Sequence, residues 1–382
     1  MQNVLITGGA GFVGSNLAQR VLSTGGRVTV YDNLARAGTE RNLAWLQELG
    51  GHRLRFVRGD VRDGAHLAAL VGAVQPDAVF HFAAQVAVTT SVSDPRTDFE
   101  VNALGTFNLL ESARRVRRPP AIFFTSTNKV YGGLDDVAVV AQPSRWTFRD
   151  HPLGIAETQP LDFHSPYGCS KGTADQYVRD YARIYGLRTV VFRMSCIYGP
   201  RQFGNEDQGW VAHFLISALL NRPLTIYGDG KQVRDILFVG DLVNAFEAAY
   251  TRIDQVAGEV FNIGGGPDNT LAIWSEFASH IQRLVGHLPP VQRAEIRPGD
   301  QAVYISDIRK AAARLGWTPA VGVEEGISRL YHWIRDNRTL FRDLPAVPAV
   351  VSQAARNGYH AEPPAPLPAL SPLDASPPDS LQ

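Results

Sequence analysis

Sulfur is scarce in this chain: 382 residues include two cysteines and two methionines. Cys169 and Cys196 could form at most one disulfide, and two thiols are too few for a structural zinc site built on thiolates. A reduced, cytoplasmic setting without a bound metal is expected. An excess of charge of one sign is also missing, since 37 Lys+Arg stand against 37 Asp+Glu. The sequence-wide basic surplus of a general nucleic-acid binder is thereby excluded, and any anionic ligand must be held by local groups. No apolar run reaches the roughly 18 residues of a membrane helix, and Met1–Gly8 shows no basic region ahead of a long apolar stretch. Neither a membrane partner nor a leader segment is expected. A repeat of fixed period, the mark of a solenoid or propeller, is absent too.

What the chain does have is apolar material, 45% of its residues, enough for one large domain or two modest ones. Short apolar runs recur at Val4–Ile6, Val28–Tyr31, Arg55–Val57, Ala78–Phe82, Ala121–Thr125 and Thr189–Arg193, with helical spacing between them. Strands alternating with helices predict an α/β fold of Rossmann type, a doubly wound parallel sheet. Beyond about Gly199 the alternation loosens into Pro/Gly-punctuated segments. The organisation expected is a dinucleotide-binding domain over residues 1–187, with returning segments around 235–265 such as Val260–Ile263. A smaller, mainly substrate-binding domain follows over 188–342. Nine prolines punctuate residues 343–382, which read as a disordered or polyproline tail.

The first strand runs into Gly8-Gly9-Ala10-Gly11-Phe12-Val13-Gly14, and a helix follows. Glycines at 8, 11 and 14 let a backbone approach a pyrophosphate whose charge sits at the positive helix end, near Phe12 and Val13. Asp32, ending the next strand ahead of Asn33, is placed to accept from a ribose 2'-hydroxyl, which favours NAD over NADP; Arg36 nearby weakens that preference. Asp60 and Val61 after the third strand read as an adenine contact or as a turn cap. Phe82-Ala83-Ala84-Gln85 after the fourth offers small residues past which a cofactor could run.

Tyr167 and Lys171 stand four apart in Ser165-Pro166-Tyr167-Gly168-Cys169-Ser170-Lys171, hence on one helix face. A phenol is a poor base at neutral pH, and an adjacent ammonium favours the phenolate, which makes Tyr167 a usable acid/base. Phe123-Phe124-Thr125-Ser126-Thr127-Asn128-Lys129-Val130-Tyr131-Gly132 brings hydroxyls to the C-terminal end of a buried strand, where ligands bind in open parallel sheets. Together these features, over roughly residues 1–340, resemble an extended short-chain dehydrogenase/reductase, the group that contains nucleotide-sugar epimerases and dehydratases. The resemblance implies NAD as cofactor, Tyr167 as base, Lys171 lowering its pKa and binding the nicotinamide ribose, and Thr127 hydrogen-bonding the reacting hydroxyl, with Ser126 as alternate. It further implies Asn102 in the cofactor shell and Arg234 and Arg297 on the substrate diphosphate, a task that suits guanidinium forks.

Sugar dehydratases of this group carry Asp-Glu directly after the threonine; here Asn128-Lys129 stands there. An amide and an ammonium cannot share the two proton transfers of a dehydration, which leaves oxidation and reduction at one carbon. Ser126–Gly132, Ser165–Gly172 and Ser195–Trp210 are similar to the branch of the group that inverts C2 of a CDP-linked sugar. The mechanism implied is hydride transfer from C2 to NAD, a transient 2-keto sugar, and return from the other face. Epimerases of other GDP- or UDP-hexoses at C2 or C4 remain open, and so does a cofactor-consuming reductase. A non-catalytic NAD-binding protein has no need of Thr127, Tyr167 and Lys171 together. Cys169 and Cys196 read as packing or pocket-shape residues, with Cys196 and Asn128 near the substrate. The resemblance also implies a homo-oligomer, a dimer or tetramer, as partner state.

Overall fold

The structure is a computed structural model that describes residues 1–296 and 300–342. Seven strands form its main sheet: β1 (Asn3–Thr7), β2 (Arg27–Asp32), β3 (Leu54–Arg58), β4 (Ala78–His81), β5 (Ala121–Thr127), β6 (Thr189–Met194) and β7 (Val260–Ile263). All are parallel, in the order β7-β6-β5-β4-β1-β2-β3. Val4 pairs with Val28 on one side and Ala78 on the other. The order therefore reverses between β1 and β4, and the crevice beyond their C-terminal ends is the switch point at which such folds bind ligands.

These strands are apolar on both faces because helices cover both. On one face Val4, Ile6, Val30, Phe80, Phe123 and Phe192 pack against α1 (Phe12–Ser23), α2 (Thr39–Gly50) and, further along the chain, the Val239–Thr251 and Arg309–Leu315 helices. On the other, Leu5 and Val79 meet α3 (Gly64–Val74) and α4 (Gly105–Arg114), and Ile122, Phe124 and Val191 meet α4 and α5 (Ser165–Tyr185). The long helix α5 begins on Pro166, pre-set for a first turn, and ends on Gly186 in the left-handed region.

β3 stops at Arg58, so Asp60 lies in the loop beyond it. The expected return of Val260–Ile263 to the sheet is observed, at its edge beside β6. That edge is capped by side chains: Lys310 Nζ donates to Val260 O at 2.8 Å, and Asn262 N donates to Glu157 Oε1 at 2.7 Å. A second core gathers Trp210–Leu219, Phe277–Val285 and Val323–Asp336 around short strands centred on Val233–Phe238. Both cores lie in one compact unit, so division into a cofactor part and a substrate part is a proposal about function. The Pro-rich segment 343–382 lies outside the described residues.

Candidate active site

Gly8 leaves β1 at φ +68°, donating its N–H to Tyr31 O at 2.8 Å. A Cβ at Gly8 would stand 2.6 Å from Ala83 N, and one at Gly14 would stand 2.4 Å from Gly8 O, so neither position accepts a side chain without backbone movement. Gly11 is the extended N-cap of α1 and offers no side-chain acceptor. The N–H groups of Phe12 and Val13 open that helix without intrahelical acceptors, as an anion site requires. Asp32 is buried; its carboxylate accepts from Ala10 N at 3.0 Å and Leu34 N at 2.8 Å, and burial pushes its pKa up against those two bonds. The acid is thus tied to the glycine turn.

Asp60 is gripped by the Arg62 fork at 3.0 and 2.8 Å and receives Asn33 Nδ2 at 3.0 Å. The Arg62 bond, against some desolvation, holds its carboxyl at about 2. Val61 is buried under Gly105. Phe82, Ala83, Ala84 and Gln85 are half-buried after β4. Asn102 is turned to the protein itself: its Oδ1 accepts Gln85 N at 2.9 Å, and its Nδ2 donates to Gln85 O, Asp98 Oδ1 and Ser170 Oγ within 3.1 Å. It positions the loop after β4 against α5.

At the end of β5 the Thr127 hydroxyl donates to Asn128 Oδ1 at 3.3 Å and accepts Lys129 N at 3.2 Å, and it favours the anion of the Tyr167 phenol. Ser126 Oγ is buried and has no hydrogen-bond partner among the described residues. Tyr167 is pushed up to about 12 by burial, opposed by Thr127 and by the positive charge of Arg36. Lys171 is drawn elsewhere: Nζ donates to Thr125 O at 2.6 Å and sits 4.2 Å from the Phe124 ring centroid, and burial lowers its pKa to about 7. The positive charge of Arg36 also favours the Tyr167 phenolate, and Asp207 in turn favours the charged form of Arg36. His81 had no signal in the sequence; it is buried between Thr7 Oγ1 and Thr106 Oγ1 at 2.6 and 3.0 Å and is driven to about 3 by burial and by Lys171, hence neutral.

Across the crevice, Arg234 is buried and uses three donors internally, on Val233 O, Asp300 Oδ1 and Gln301 O, each within 2.7 Å. Lys129 Nζ lies 3.5 Å from the same Asp300 oxygen. Asn128 Nδ2 donates to Gln301 Oε1 at 3.3 Å, and Gln301 Nε2 donates to Gly132 O at 2.7 Å. Cys196, half-buried, accepts from Trp210 Nε1 at 3.4 Å; burial pushes its thiol up, away from thiolate chemistry. Cys169 is exposed on α5, its thiol 3.5 Å from Phe163 O. Arg297 lies outside the described residues. Asp300, Gln301 and Asp98 escaped sequence reasoning as site residues; only Asp300 carried a hint, from its place in Arg297-Pro298-Gly299-Asp300.

The parallel sheet, the glycine turn and this crevice are those of an enzyme built on a dinucleotide-binding sheet. The family described as GDP-mannose 4,6 dehydratase matches residues 5–330, and the chain belongs to it. It is 44% identical over 340 residues to the CDP-paratose 2-epimerase of Salmonella typhi, covering 86% of this chain and 98% of that one. It is 35% identical over 354 residues to a dTDP-glucose 4,6-dehydratase of Xanthomonas campestris pv. campestris (strain B100), covering 89% and 95%. Among solved structures, UDP-glucuronic acid 4-epimerase from Bacillus cereus, in complex with UDP-glucuronic acid and NAD, matches with a TM-score of 0.75 at 28% identity, over 88% of this chain and 100% of that one. The resemblance to epimerases and dehydratases read from the motifs is borne out. Among the described residues no helix is long and apolar enough to cross a membrane, and no cluster of acidic, His or Cys side chains could hold a metal.

Proposed function

We propose that this protein is an NAD-dependent epimerase that inverts C2 of a nucleotide-diphosphate sugar, with CDP-paratose to CDP-tyvelose as its reaction. The residues fit the cofactor: two glycines whose Cβ atoms would collide with the turn, an uncapped helix start and a buried, unpartnered Ser126 hydroxyl make a cradle for it. Bound NAD would take up the C2 hydride and give it back, so net redox is zero. Tyr167 removes the 2-hydroxyl proton and later returns it, Thr127 orients both oxygens, Arg36 favours the phenolate, and Lys171, anchored on Thr125 O, would hold the nicotinamide ribose. Arg234 keeps its Nε–H and one Nη1–H for the diphosphate.

The observation that carries the reading is Asn128 and Lys129. Both are engaged with Gln301 and Asp300, and neither supplies the carboxylic acid and carboxylate that expel a sugar hydroxyl. Likeness to the Salmonella relative over almost its whole length supports C2 and the CDP-linked sugar. Inversion at C4 of a GDP- or UDP-hexose is the second reading, favoured by the Bacillus structural neighbour. Incubation with CDP-paratose and with CDP-, GDP- and UDP-hexoses, followed by NMR at C2 and C4, decides between them. Inversion at C2 of the CDP sugar without build-up of reduced-nicotinamide absorbance is expected; conversion at C4 alone, or stoichiometric cofactor consumption, overturns the reading. For the assembly we propose a homo-oligomer joined through α4 and α5, whose outer faces expose Phe107, Tyr177, Ile184 and Tyr185.

A further inference from the structure

One half-buried cation of the crevice, Lys129, has no part in the proposed proton and hydride transfers. Lys129 belongs to the turn Asn128–Tyr131, which starts from Thr127 as its cap, one residue beyond the catalytic strand. Its ammonium stands 3.5 Å from Asp300 Oδ1, the oxygen that Arg234 Nη2 grips at 2.7 Å. The same two segments are joined twice more: Asn128 Nδ2 donates to Gln301 Oε1 at 3.3 Å, and Gln301 Nε2 donates to Gly132 O at 2.7 Å. Gln301 O, in turn, receives Arg234 Nη2 at 2.6 Å. Burial opposes the Asp300 carboxylate, but Arg234 and Lys129 outweigh it and hold its pKa below the ordinary range. Burial lowers Lys129, with Asp300 opposing.

One carboxylate is shared by two cations in a half-buried place, and with Gln301 O it keeps the guanidinium from swinging. Lys129 stands on the catalytic turn, and Arg234 stands on Val233–Phe238 in the second core. Their shared acid therefore sets the distance between the group that grips the ligand and the hydroxyls of Thr127 and Tyr167. An epimerase of the kind proposed has to hold its diphosphate in one place while the oxidised sugar presents its other face.

We infer that Lys129 is a positioning residue for the substrate diphosphate: through Asp300 it fixes the Arg234 guanidinium relative to the catalytic turn. This rests on the proposed nucleotide-diphosphate sugar as substrate. It also predicts that a glutamate at 129 would meet Asp300 as a like charge, so the acidic pair of a dehydratase cannot be installed here while Asp300 is kept.

A double-mutant cycle on the cofactor-loaded protein tests this with Lys129→Met, Asp300→Asn and the two combined, and with Lys129→Arg as conservative control. CDP, UDP and GDP serve as binding probes by calorimetry, KM and kcat are taken on the sugar nucleotide turned over, and retained NAD reports folding. Lys129→Met is expected to weaken diphosphate binding and raise KM about tenfold with kcat changed less than about threefold, and Lys129→Arg to restore binding to within about threefold. In the Asp300→Asn background, Lys129→Met should cost nothing further. Losses that multiply in the double variant would mean direct contact with the ligand and overturn the inference. So would a fall in kcat at unchanged KM, full binding in Lys129→Met, or failure of wild type to bind any of the three probes. Should the combined variant lose its NAD, the Lys129→Met and Lys129→Arg pair still decides through the split between KM and kcat. Inversion at C4 with the coupling intact would sink the C2 reading and leave this one standing.

Discussion

A phenol at about 12 is a poor base, and Tyr167 is in that condition under the influence of its protein neighbours. Sequence spacing correctly put Tyr167 and Lys171 on one helix, yet the ammonium is drawn to Thr125 O, so it does not do the lowering by itself. Arg36 is the protein cation that opposes burial, and an oxidised nicotinamide ring, when bound, would add a second. Tyr167→Phe should therefore cut kcat by about 10²–10⁴-fold, while NAD stays bound and the melting temperature holds, because the ring stays buried and the backbone N–H of residue 167 keeps its bond to Ser91 Oγ. Retention of more than about a tenth of wild-type turnover would remove Tyr167 as the acid/base. Residues such as Gly8, Gly14, Thr127 and Tyr167 were legible because their roles depend on neighbours a few positions away. Gln301, Asp98 and His81 were not, since each acquires its role only when distant segments meet: Gln301 lies 173 residues from the Asn128 it receives.

The catalytic helix is held in place by a buried ion pair. Arg193 on β6 forks onto Asp175 on α5 at 2.9 Å through two nitrogens, and its third nitrogen donates to Tyr131 OH at 3.1 Å. Tyr131 donates to Asn262 Oδ1 at 2.7 Å, so one network spans β6, α5, the turn after Thr127 and β7. Arg193 and Asp175 are almost fully buried, and Asp175 raises the guanidinium's pKa against the cost of desolvation. Arg193→Met should thus destabilise the fold by about 3–5 kcal/mol, because it strands a buried carboxylate. Denaturant titration measures it, and Arg193→Met/Asp175→Leu should recover a good part of the loss. A cost below about 1 kcal/mol would show that the pair is dispensable. At this scale the six expected apolar runs all became strands of the main sheet, since strands buried on both faces announce themselves as apolar runs. The short strands of the second core did not: Cys196–Tyr198, Thr270–Ala272 and Val303–Tyr304 are two or three residues long and show no period to read.

For the molecule as a whole, copies in the proposed homo-oligomer would meet through α4 and α5. Helices α4 and α5 turn apolar side chains toward solvent: Phe107 meets Tyr177 edge-on at 6.1 Å, Tyr185 is exposed with its ring 4.8 Å from that of the buried Tyr181, and Ile184 is 65% exposed. Ile184→Asp with Tyr177→Asp should convert the assembly to monomers at micromolar concentration, read by light scattering on a sizing column, while the secondary-structure signal stays intact. A wild-type protein that is monomeric at the same concentration would discard this face as a contact. The side chains over β7 bear on assembly from the opposite direction. By occupying Val260 O and Asn262 N, Lys310 and Glu157 remove hydrogen-bonding groups on which a foreign strand could grow. Concentrated protein is thereby steered away from strand-by-strand aggregation at that border.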